Sequence, residues 1–183
     1  MSATHAASSQ MLREAAEAPR RAAWQRDRNR DALREAARRI RALDPPFAIT
    51  IAQGSSDRAA SFEAAQKLKE VTRIHAEAFS SADVAHGPMA LIGEGDPVFA
   101  FASRRRCTGR FPGSARIAAR AGAHILWAGS ADTCSLPAIR SRDPGVEATG
   151  MILSFYRLVE ALAHRRGLDP DHPPHLSKIT RTR

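Results

Sequence analysis

The sequence predicts an α/β protein, with three layers (α/β/α) around a mostly parallel sheet and an N-terminal helical extension. Three observations predict it. Short apolar runs at residues 47–52, 97–102 and 123–128 have the length and continuity of buried parallel strands. Segments of helical spacing lie between and after them, and that alternation builds parallel sheets. The first run passes directly into Gln53-Gly54-Ser55-Ser56-Asp57, a Gly/Ser turn that leads into a helix. At 183 residues the chain is long enough for one domain with a real core, and 43% hydrophobic content is ordinary for a globular protein.

In chain order, residues 1–8 read as a disordered leader. Residues 11–43 are rich in Ala, Arg and Glu, and a break is expected at Pro19. Leu12 and Ala16, then Ala32, Leu33, Ala36, Ile40 and Leu43, make helical faces. Asp27, Asp31 and Glu35 alternate with Arg30, Arg34 and Arg38, so the arginines solvate an exposed helix. Asp44-Pro45-Pro46 stops it. Residues 47–52 follow as a strand. The Gly/Ser turn after it has two readings. It is an anion site made by backbone N–H groups, hydroxyls and a helix dipole, or a simple N-cap by Ser56 or Asp57.

Residues 63–72 have helical spacing. Ala64, Leu68 and Val71 form one apolar stripe. Glu63, Lys67 and Glu70 form a second stripe beside it, two carboxylates flanking an ammonium. A solvated ion-pair ladder, at about 0.2–0.5 kcal/mol per pair, accounts for that spacing by itself. Residues 74–79 alternate apolar positions with His75 and Glu77, and a polar loop leads to His86-Gly87-Pro88. Gly and Pro fix the backbone beside His86, which suits proton transfer, although a lone histidine is more often structural. Residues 97–102 are the next strand. Residues 103–114 are a basic surface loop with Gly and Pro breaks. A short helix at 115–121, a strand at 123–128 and a short edge segment at 136–139 follow. Residues 146–166 form a strong helix whose apolar face is Met151, Phe155, Leu158 and Leu162, ended by Gly167. The tail from Leu168 is proline-rich and cannot be helical.

The charge balance is 28 Lys+Arg against 19 Asp+Glu, a net +9, which favours anionic partners. Aromatic content of 5% and the lack of a reading motif argue against nucleic acid. Cys107 and Cys134 are far apart, with neither a zinc signature nor a disulfide framework. No signal peptide is recognisable, and no apolar run approaches the roughly 20 residues of a membrane span. A cytoplasmic, reducing location is expected, with no metal and no cofactor.

Glu63-Ala-Ala-Gln-Lys-Leu-Lys-Glu-Val, His75-Ala-Glu-Ala-Phe and His86-Gly-Pro-Met-Ala-Leu resemble the sugar isomerase (SIS) domain family. The likeness is to the second SIS domain of the isomerase half of glutamine–fructose-6-phosphate aminotransferase (glucosamine-6-phosphate synthase). It is closer still to the SIS-type glucosamine-6-phosphate deaminases. The resemblance implies a flavodoxin-like SIS fold, a phosphorylated sugar as ligand, and aldose–ketose interconversion. It implies Glu70 as base, His86 for ring opening and Lys67 to tune Glu70. It also implies that Lys178, in a closing segment at 168–183, contacts the open-chain sugar. Gly54, Ser55 and Ser56 become candidate sugar or phosphate contacts. A homodimer is implied too, since the family brings the His-Gly-Pro histidine from a neighbouring subunit.

The chain departs from the family in having the elements of one SIS domain instead of two. Residues 11–62 resemble the start of the first domain, and residues from 63 resemble the second from its first helix onward. A fusion at residues 58–63 is inferred, giving an extension at 1–44, one SIS-like domain at 45–167 and a tail at 168–183. The Ser-Gln-Ser-Gly type phosphate loop is absent from the sequence. Three functions stay open: an isomerase or deaminase impaired by that loss, a sugar-phosphate-binding module, and a basic interaction protein without a sugar site. On the first reading the acid, the imidazole and the terminal amine are expected to converge beside the Gly/Ser elbow.

Overall fold

The computed structural model describes residues 10–52, 54–103, 113–130 and 134–176; for residues 10–16 and 18 it describes the backbone only. Two helices, α1 (Gln10–Arg28) and α2 (Arg30–Leu43), lead into strand β1 (Phe47–Ala52). Helix α3 (Ser55–Lys67) follows and continues as one π-helical turn, Leu68–Thr72. Then come β2 (His75–Ser80), two 3-10 turns (Asp83–His86 and Pro88–Leu91) and β3 (Pro97–Ala102). Helix α4 (Gly113–Arg120), β4 (His124–Gly129), the short β5 (Leu136–Pro137) and the long α5 (Pro144–Arg165) complete the described chain.

The strands lie in the order β2-β1-β3-β4-β5, and every neighbouring pair is parallel. This is the doubly wound order in which ligands bind at the carboxyl ends of β1 and β3, where the winding reverses. Alternation along each strand sorts the core onto two faces. Ala48, Ala52, Phe99, Phe101, Leu126 and Ala128 pack under α2, α3 and α5. Ile49, Ile51 and Val98 pack under Val84 and Ile92 of the 3-10 segment and Ala118 of α4. The second face is the thinner cover. On the first face Phe155 of α5 meets Phe99 and Phe101 edge to face, with centroids 5.1 and 5.8 Å apart. Thr50 is a polar residue in this core, and its hydroxyl donates to Ser61 O at 2.9 Å, tying β1 to α3.

The N-terminal helices are part of this core. Leu33, Ala36, Ala37 and Ile40 of α2 are buried against α5. Two corrections to the sequence reading follow. Helix α1 runs through Pro19 without a break, and the interruption falls at Asn29. The reason is tertiary: Asn29 is buried, and its Nδ2 donates to Pro137 O at 2.8 Å and Ser154 Oγ at 3.0 Å. The helix bearing Lys67 begins at Ser55, directly after the Gly/Ser turn as read, with Ala60, Ser61 and Ala64 buried. The expected edge segment at 136–139 shortens to Leu136–Pro137. The leader at 1–8, residues 104–112 of the basic loop with Cys107, and Lys178 in the tail lie outside the described residues. No helix among the described residues is long and apolar enough to cross a membrane.

Candidate functional site

Two groups of polar side chains stand at opposite ends of α3. The first is the elbow at the carboxyl end of β1. Gly54 has extended backbone (φ −110°, ψ 164°) and lies just before the first turn of α3, formed by Ser55, Ser56 and Asp57. Gly54 is buried, Ser55 is exposed and Ser56 is half-buried. The expected N-cap by Ser56 or Asp57 is not made, because the N-cap position falls at Gly54 and both residues lie inside the helix. Instead Asp57 is buried in the first turn, and its Oδ2 accepts from Ser103 N at 3.1 Å and Ser103 Oγ at 3.3 Å. That clasp joins the ends of β1 and β3 at the point where the sheet changes direction. Ser114, in the first turn of α4, adds a buried hydroxyl with no hydrogen-bond partner among the described residues. A cleft of about 360 Å³ opens beside the elbow, lined by Ser56, Ala59, Glu63, Gly145, Thr149 and Ile152 among others.

The second group is the Lys67–Glu70 edge. The helical stripe read from the sequence is real: Lys67 Nζ lies 2.7 Å from Glu70 Oε2 and 3.9 Å from Glu63 Oε1. Gln66 Nε2 donates to Glu70 Oε1 at 2.7 Å, so both carboxylate oxygens are held. The Lys67 hydrogen bond and then the Gln66 bond hold the Glu70 carboxyl below its ordinary range, against the opposing effect of burial. Tyr156 of α5 donates to Glu63 Oε1 at 2.6 Å. Burial, and then that bond, push its phenol up to about 12, so it stays a donor at neutral pH. Glu70 sits in the π-helical turn, which closes with Thr72 Oγ1 donating to Leu68 O at 2.6 Å and with Arg73 left-handed at φ 59°. π-Turns of this kind recur at functional sites because they re-aim side chains within a helix.

His86 closes the first 3-10 turn, is exposed, and follows the carboxyl end of β2. Ser81 N donates to Ala52 O at 2.9 Å, which pins the start of this segment to the elbow strand. Asp83 is held below its ordinary range, mainly by the Ser80 hydroxyl, and Arg58 and His86 add smaller favourable charges. His86 therefore stands toward the Gly54–Ser56 pole, across the sheet from α3.

The expected convergence does not occur within one chain. Ser55 and Glu70 lie on the same continuous helix, and at 1.5 Å per residue they are roughly 20 Å apart. Proton transfer needs heavy atoms within about 3 Å, directly or through one water. The elbow and the Lys67–Glu70 edge are thus two separate polar groups. Ser103 and Ser114 were not singled out from the sequence, although the rule that ligands bind at strand ends points to Ser103. Nothing local in the sequence pairs Tyr156 with Glu63, because only packing of α5 on α3 brings them together.

Fold and elbow define the class: an open, doubly wound parallel α/β protein with its polar residues gathered at the switch point. Residues 47–127 match the SIS domain. The chain carries a SIS domain, and it shares its fold with phosphosugar isomerases. It is 42% identical over 93 residues to the glutamine–fructose-6-phosphate aminotransferase of Chlorobaculum tepidum, covering 51% of this chain and 14% of that one. It superposes on the C-terminal domain of the glucosamine-fructose-6-phosphate aminotransferase of Francisella tularensis with a TM-score of 0.76 at 18% identity, covering 89% of this chain and 47% of that one. The glucosamine-6-phosphate deaminase of Thermotoga maritima gives a TM-score of 0.61 at 26% identity, covering 80% and 44%. The chain spans less than half of each of these relatives.

Proposed function

We propose that this chain binds a hexose phosphate such as glucosamine 6-phosphate or fructose 6-phosphate, as an isomerase- or deaminase-type SIS protein. In this reading Gly54, Ser55 and Ser56 contact the sugar or its phosphate. Glu70 is the base for the C1/C2 proton, and Lys67 keeps its carboxylate ionised. His86 opens the ring, and Lys178 contacts the open-chain sugar. No cofactor is needed, because an enediol or imine route uses acid–base groups alone. The observation that carries the reading is the Glu70 carboxylate, gripped through both oxygens on the exposed edge of a helix within the SIS match.

A single chain holds its two half-sites too far apart for chemistry, so the catalytic reading requires a homodimer. In such a pair the elbow of one copy faces the Lys67–Glu70 edge of the other. Phe62 and Tyr156 are exposed large apolar residues beside that edge, the kind of surface a pair covers. The same separation favours a second reading, in which a lone chain binds sugar phosphate at the elbow without turning it over.

The deciding experiment measures turnover of glucosamine 6-phosphate, thermal stabilisation by hexose phosphates, and mass by sedimentation equilibrium on the full chain. Turnover that disappears in Glu70→Gln, from a dimer, supports the enzyme. Stabilisation without turnover, removed by the double change Ser55→Ala and Ser56→Ala, supports the binding module. If hexose phosphates neither stabilise the chain nor are converted by it, both readings fail.

A further inference from the structure

Helices α1 and α5 leave a groove along their joint. Two adjoining cavities of about 400 and 350 Å³ form it, and they share Pro19, Ala22 and Leu153 as walls. Toward the start of α5 the groove is apolar, with Ile139 and Val146 in its wall. Toward the middle of α5 it reaches Arg26 and Arg157. Leu153, in the shared wall, is 42% exposed, so apolar surface stays uncovered there. From Val146 to Arg157 the helix rises roughly 17 Å. Arg157 is half-buried, and among the described residues no hydrogen bond or ion pair holds it. Its Nη1 is shut off from solvent without a partner, while Nε and Nη2 are not. The acidic residues of the adjoining stretches of α1 and α5 are engaged elsewhere. Asp27 Oδ1 lies 3.1 Å from Arg26 Nε and 3.0 Å from Arg30 Nη2, and Glu160 Oε1 lies 3.4 Å from His164 Nε2. A half-buried charge with no counter-ion is a cost that folded chains ordinarily avoid.

We infer that this groove binds an amphipathic carboxylate, an alkyl chain whose anionic head sits at Arg157. A guanidinium takes a carboxylate through two parallel N–H···O bonds, and Nε and Nη2 of Arg157 are the open side of such a fork. Arg26 stands at the same end and adds positive potential, although Asp27 holds its guanidinium. Charge at one end and apolar wall along the rest match a ligand of the same polarity. A small polar anion would leave the Leu153 wall bare, and a neutral lipid would leave Arg157 unpaired. The size is that of a small-molecule site. The inference does not depend on the sugar-phosphate reading, since neither the elbow, the Lys67–Glu70 pair nor His86 lines the groove.

The test is titration calorimetry of the full chain with dodecanoate below its micelle concentration. Saturable binding is expected, about tenfold or more tighter than that of octanoate, because each buried methylene adds to affinity. Arg157→Gln should weaken it about tenfold or more. That substitution removes a charge that no described residue pairs, so the fold is kept. Leu153→Glu sets a carboxylate one helical turn before Arg157, where it pairs with the guanidinium from within the chain. It should abolish binding and raise the melting temperature. The inference is overturned if dodecanoate does not bind saturably, or if Arg157→Gln binds it as the native chain does. It is also overturned if a neutral dodecyl maltoside binds as tightly, because the charge is then not read, or if octanoate does, because the apolar wall is then not read. A dimer in sedimentation equilibrium that Leu153→Glu breaks and Phe62→Glu does not would overturn it too, since a second copy then covers the groove.

Discussion

Glu70 owes its ionisation to side chains three and four residues before it. Lys67 and Gln66 each hold one carboxylate oxygen, so the folded chain keeps this carboxyl below its ordinary value of 4.5. A depressed carboxyl stabilises the fold above its unfolded pKa, and that contribution is lost as pH falls through the folded value. Lys67→Met should therefore move the titration of Glu70 upward, read by NMR of its side-chain carboxyl carbon. It should also remove the matching part of the stability gained between acid pH and pH 5. A Glu70 that titrates unchanged would show that Lys67 does not hold it. Under the proposed function, Glu70→Gln should lower turnover by about 10²–10⁴-fold with little change in melting temperature. Glu35 has an equivalent grip from Arg38 and Arg39 and falls to about 2, yet it lies on the surface of α2 in a plain ion-pair ladder. A depressed carboxylate alone does not mark a site, and Glu70 differs by its place on a π-turn within the SIS match.

Helix α1 is attached through a buried polar clamp. Gln25 Nε2 donates to Gly150 O at 2.5 Å and to Ser154 Oγ at 2.6 Å, and Gln25 Oε1 accepts from Ile139 N at 2.8 Å. A Cβ at Gly150 would lie 3.1 Å from Gln25 Oε1 and 3.3 Å from Ile139 N, so the clamp would have to shift by a few tenths of an ångström to take it. Gln25→Ala leaves the Ile139 N–H buried without its partner, and should cost about 1–3 kcal/mol by urea unfolding. A loss below about 1 kcal/mol would mean that water replaces the clamp. Phe155→Ala should cost about 3–5 kcal/mol, because it empties the joint between α5 and β3. Element placement was legible where local pattern decides. The runs at 47–52 and 97–102 are strands at those bounds, and Met151, Phe155, Leu158 and Leu162 are the buried face of α5. It was not legible at Pro19, because the clamp and the buried Asn29 fix where α1 gives way to α2.

At the scale of the whole molecule, the elbow and the Lys67–Glu70 edge stand at opposite ends of α3, and the proposed function treats them as two halves of one site. The proposed pair predicts that Phe62→Glu shifts the chain to monomer in sedimentation equilibrium. It should abolish turnover while leaving thermal stabilisation by fructose 6-phosphate in place. A native chain that is already monomeric and still turns over sugar would rule the pair out. The net charge of +9 adds a field that attracts anions, an effect that weakens with salt.

The sequence by itself determined the parallel α/β class, the Gly/Ser elbow after β1 and the Lys67–Glu70 stripe. Each depends on residues close together in the chain. Only the tertiary structure decided that elbow and stripe lie roughly 20 Å apart, that Asp57 clasps Ser103, and that Tyr156 reaches Glu63. Spacing along a chain sets which face of a helix a side chain occupies. The packing of that helix on its neighbours sets what the face meets.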